Sequence, residues 1–104
     1  MSAARSLGSL AGEIRSKNAG PFWVTVDIFF ETRPDFEAAA ADGVLTPDIV
    51  SALYRVPAES VAIFRMPSLL VIKVSFPRVH PQGSITDGDM HAAQQYIPLA
   101  SVVI

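Results

Sequence analysis

Hydrophobic and polar positions alternate most clearly over residues 22–30, where Val24, Val26, Ile28 and Phe30 fall on one side and Trp23, Thr25, Asp27 and Phe29 on the other. Such a period of two predicts a strand with one face in the core. A second strand is expected over 69–76, with Leu70, Ile72, Val74 and Phe76 as its apolar side. The β-rich run 60–65, followed by the turn Met66-Pro67-Ser68, pairs with it as a hairpin. Leu7, Leu10, Ala11 and Ile14 recur at helical spacing and predict a short helix over 6–15, stopped by Asn18-Ala19-Gly20-Pro21.

Two more helices lie between the first two strands. Thr32, followed by Pro34 and Asp35, has the character of a helix start, and Asp42-Gly43 supplies the stop. Thr46-Pro47-Asp48 restarts a helix carrying Ile49, Val50 and Leu53, which ends before Pro57. A loop over 77–88, a helix over 89–96 and a last strand over 99–104 complete the chain. The order is that of an α+β, ferredoxin-like split βαββαβ domain over residues 1–104, with an antiparallel sheet, helices on one face and a short N-terminal helix in front. In that arrangement the first and third strands lie side by side in the middle.

Composition narrows the function classes. Half of the 104 residues are hydrophobic and 17% are charged, which excludes disorder and points to apolar surface covered by another chain. A net charge of −2 without a Lys/Arg stripe argues against nucleic acid. The absence of cysteine removes disulfides, thiolate nucleophiles and Cys-based zinc sites. Residues 1–12 contain no continuous apolar run, so neither a signal peptide nor a membrane span is expected, and the cytoplasm is the expected compartment.

The expected fold brings two groups of residues together. Arg15, Ser16, Lys17, Asn18 and Gly20 before the first strand, with Arg78 and His80 after the third, share one rim of the sheet. Cations at such a rim, beside a helix start, suit a carboxylate or another small anion. On the sheet face away from the helices, Trp23, Thr25, Asp27 and Phe29 neighbour Val71, Lys73 and Ser75, with Asp27 and Lys73 as a cross-strand ion pair. A face of this mixture suits a subunit interface; the competing expectation is that the leading helix covers it. His80 and His91 lack metal-ligand spacing, so no metal and no cofactor is implied. No Ser/His/Asp triad or phosphate-cradling glycine loop can be assembled, which leaves catalysis by this chain open.

The stretch Ile14-Arg15-Ser16-Lys17-Asn18-Ala19-Gly20-Pro21-Phe22, with Thr25-Val26-Asp27-Ile28, Gly43-Val44-Leu45-Thr46 and Ala93-Gln94-Gln95, resembles an uncharacterised small-protein family associated with, or fused to, the acyclic terpene utilisation protein AtuA. Nearly the whole chain takes part in the resemblance. A related AtuA-appended module has a ferredoxin-like fold and a similar Arg-Ser segment, after which this chain departs with Lys-Asn-Ala-Gly. The resemblance implies an accessory subunit of an AtuA-type assembly handling a small carboxylate or acyl-CoA intermediate, with an AtuA-type protein or further copies of itself as partners. Two alternatives stand beside it: a stand-alone lyase or hydratase using Lys17, Asp27 or His80, and a regulatory module that binds a small anion between copies.

Overall fold

The computed structural model describes residues 6–20, 22–77 and 102. It is a mixed α+β structure whose four strands form one antiparallel sheet. In chain order the elements are α1 (Leu7–Leu10), β1 (Glu13–Asn18), β2 (Trp23–Phe29), α2 (Arg33–Ala40), α3 (Pro47–Tyr54), β3 (Ala62–Met66) and β4 (Val71–Pro77). Short 3₁₀ turns at Ala58–Ser60 and Pro67–Leu69 flank β3.

β2 and β4 lie side by side at the centre, as expected, and β3 pairs with β4 through the hairpin. The other neighbour of β2 is β1. In a ferredoxin-like order that place belongs to the final strand, so the described sheet, ordered β1-β2-β4-β3, departs from it. The loop, helix and strand expected after Pro77 lie outside the described residues, Val102 excepted.

The helix expected over 6–15 is corrected to a single turn. Ser6 caps it, its side chain accepting from Ser9 N–H at 3.2 Å, and Ala11 is already extended. Gly12 then continues toward β2, donating its N–H to Phe29 O at 2.8 Å. Ile14 satisfies helical spacing and also sits correctly in a strand, where it is in register with Ile28. Pairing β1 with β2 closes only a short link, with Gly20 at φ +86 in it, so the loop-closure cost is small.

α2 and α3 begin where the threonines require. Thr32 accepts from Asp35 N–H at 3.3 Å and Thr46 from Ile49 N–H at 3.2 Å, each cap satisfying a donor that the helix leaves unpaired. Both helices turn their apolar sides to the same face of the sheet. Phe36, Ala39, Val50 and Tyr54 join Val24, Val26, Ile28, Ile72, Val74 and Phe76 in one core. Tyr54 stacks on Phe76 at a centroid distance of 4.1 Å, and Phe36 meets Phe30 edge to face at 5.9 Å. Arg65 ties β3 to the α2–α3 connection by donating to Leu45 O at 2.8 Å.

Leu7 and Leu10 of α1 also belong to this core. The leading helix therefore lies on the helical side of the sheet and does not cover the opposite face. That face carries no helix among the described residues. No helix among them is long and apolar enough to cross a membrane.

Candidate functional site on the open sheet face

Strand alternation and register place the open-face residues in rungs that run across the sheet. One rung is Glu13, Phe29, Val71 and Met66. The next is Arg15, Asp27, Lys73 and Phe64, and the third is Lys17, Thr25, Ser75 and Ala62. Trp23, in register with Pro77, stands beyond them. All six residues expected at the interface, Trp23, Thr25, Asp27, Phe29, Val71 and Lys73, thus share one face.

The anion group is only partly assembled, and away from the place expected for it. With 13–18 extended instead of helical, Arg15 and Lys17 point to the open face. Ser16 and Asn18 are in register with Val26 and Val24 on the helical side. Gly20 lies in the turn, while Arg78 and His80 are outside the described residues. Two of the cations expected at a rim, Arg15 and Lys17, therefore stand within the sheet face, beside Asp27 and Thr25. Phe64, 53% exposed, is a contributor that the sequence reading did not single out. The alternation of Ala62, Phe64 and Met66 in the hairpin carried the signal.

Arg15 Nη2 lies 3.1 Å from Glu13 Oε2, and its guanidinium carbon is 5.6 Å from the centroid of the Phe29 ring. Both partners of the ion pair are more than half exposed, so it adds little stability. Asp27 is less accessible, with 15% of its side chain exposed, and its Oδ1 is 3.9 Å from Lys73 Nζ, realising the expected cross-strand pair. That separation is too long for a direct hydrogen bond. Asp27 Oδ1 and Thr25 Oγ1 are shut off from solvent and have no hydrogen-bond partner among the described residues.

The arrangement offers fixed polar groups between apolar walls. Trp23, 41% exposed, lies toward one end, and Phe29 with Phe64 toward the other. Large aromatics beside charges on a rigid sheet are the kind of surface that protein interfaces use. Neither a curated protein nor a solved structure matches the chain. A family model does match, over residues 7–103 and so nearly the full length, and the chain belongs to that family, described as domain of unknown function DUF4387.

Proposed function

We propose that this protein is an accessory subunit that docks a partner protein on its open sheet face. The observation that carries the reading is the exposure of Trp23 and Phe64 on a sheet face that bears no helix among the described residues. Covering that face would remove apolar surface from water. The resemblance to AtuA-associated small proteins supports an AtuA-type chain as the partner, in the cytoplasm. It also supports a small carboxylate or acyl-CoA intermediate as what the assembly handles, with Arg15 and Lys17 contacting the acid from this face.

Co-expression with an AtuA-type protein, followed by size-exclusion and mass measurement, tests the reading. A complex that forms with the wild-type chain and not with Trp23→Asp is expected. A chain that elutes alone, or a complex indifferent to Trp23→Asp, contradicts it.

A further inference from the structure

We infer that the outer edge of β3 is where two copies of this chain pair, β3 against β3 in antiparallel sense about a two-fold axis through Phe64. The inference goes beyond the reading above: it assigns a second surface, the edge of the sheet, and leaves the open face free for another protein.

The two outer strands of the described sheet are built differently. β1 carries Glu13, Arg15 and Lys17 along its length, and charged side chains on an edge strand oppose further pairing. β3 has no proline and no charge on the open face. Its register with β4 runs from Ala62↔Ser75 to Met66↔Val71 without a bulge. Its one charged residue, Arg65, is turned to the helical side, where it donates to Leu45 O at 2.8 Å. The devices that keep an edge from pairing are thus present on β1 and missing from β3. β3 pairs with β4 alone, so its other row of backbone N–H and C=O groups has no strand beside it among the described residues. Val102, from the segment expected as the last strand, accepts from Leu7 N–H at 2.7 Å, which fastens it to α1, the element that leads into β1 at the opposite edge.

The sequence of β3 makes a second copy the fitting occupant. Ala62-Ile63-Phe64-Arg65-Met66 has Phe64 at its centre, and the antiparallel register that pairs the whole strand sets Phe64 against its counterpart. In the same register Ala62 faces Met66 and Ile63 faces Arg65. A small side chain lies opposite a long one, and no residue meets a like charge. Phe64 is 53% exposed in the single chain, and the two rings at the axis cover each other. One patch serves both copies, so the contact closes at two chains and does not propagate. The two four-stranded sheets then become one continuous sheet, with both open faces on the same side and Trp23 of each copy still uncovered.

The full chain has no cysteine, so a single introduced one reports only on pairing between copies. Phe64→Cys sets two thiols at directly opposed positions, within the Cα separation that a disulfide needs. Mild oxidation is expected to convert that variant to a covalent dimer, and to leave Lys17→Cys, on the other edge, largely single. Light scattering of the wild-type chain over a micromolar concentration series should give twice the mass of one chain. Phe64→Glu places like charges opposite each other at the axis, while within its own chain it stands in register with Lys73. It should raise the dimer dissociation constant at least about tenfold with the circular dichroism unchanged. Trp23→Asp, which removes docking on the open face, should leave the dimer intact, so the two readings fail separately. A wild-type chain of single mass throughout the series, a dimer that survives Phe64→Glu or breaks with Trp23→Asp, or cross-linking no greater at Phe64→Cys than at Lys17→Cys would overturn the inference. Should Phe64→Glu not fold, the cross-linking comparison decides.

Discussion

Thr25→Val tests the buried hydroxyl directly. The substitution keeps the branched shape and the strand preference of the side chain and deletes one oxygen. In the free chain that oxygen is out of contact with water and has no hydrogen-bond partner among the described residues. A buried hydroxyl left unbonded costs about 1–3 kcal/mol, and its removal should return that free energy as stability. In a chain of 104 residues, about 1 kcal/mol corresponds to a rise in Tm of roughly 4 °C or more. Thermal unfolding of the ligand-free chain, with urea unfolding as a second measure, should place Thr25→Val at least that far above the wild type. A Tm below that of the wild type would refute the reasoning, since it would mean that the hydroxyl already makes a favourable bond in the free protein.

Other substitutions separate the two faces of the sheet. Phe76→Ala removes a buried ring stacked on Tyr54 and should cost about 3–5 kcal/mol in urea unfolding. Thr46→Ala should cost about 1 kcal/mol through loss of the cap on α3, measured the same way. The Asp27–Lys73 pair, with Lys73 39% exposed and the charges 3.9 Å apart, should show a coupling below about 1 kcal/mol in a double-mutant cycle, falling further in high salt.

Much of the fold is legible in the chain because burial is one-sided. Val24, Val26 and Ile28 alternate with half-exposed neighbours, so the period of β2 is plain and its two faces follow. Thr32 and Thr46 announce their helices through side chains that cap them. The Asp27–Lys73 pairing follows from the same alternation once the two central strands are adjacent. β1 is different. Its six residues, Glu13–Asn18, include one apolar side chain, Ile14, and its half-buried side is completed by Ser16 and Asn18, which leaves no apolar period to read. Ile14 therefore joined Leu7 and Leu10 in a helical spacing, although Gly8 and Gly12 disfavour a helix there. That single misassignment displaced Arg15 and Lys17 from the sheet face to its rim. Correcting it joins the candidate interface and two of the candidate anion-binding side chains on one surface.

The fluorescence of Trp23 on titration with an AtuA-type partner tests the central claim most directly. Trp23 is 41% exposed in the free chain and stands on the face proposed to dock, so its emission should shift to shorter wavelength and saturate with complex formation. A complex that forms by mass while the emission stays that of the free chain would place the partner elsewhere and contradict the account.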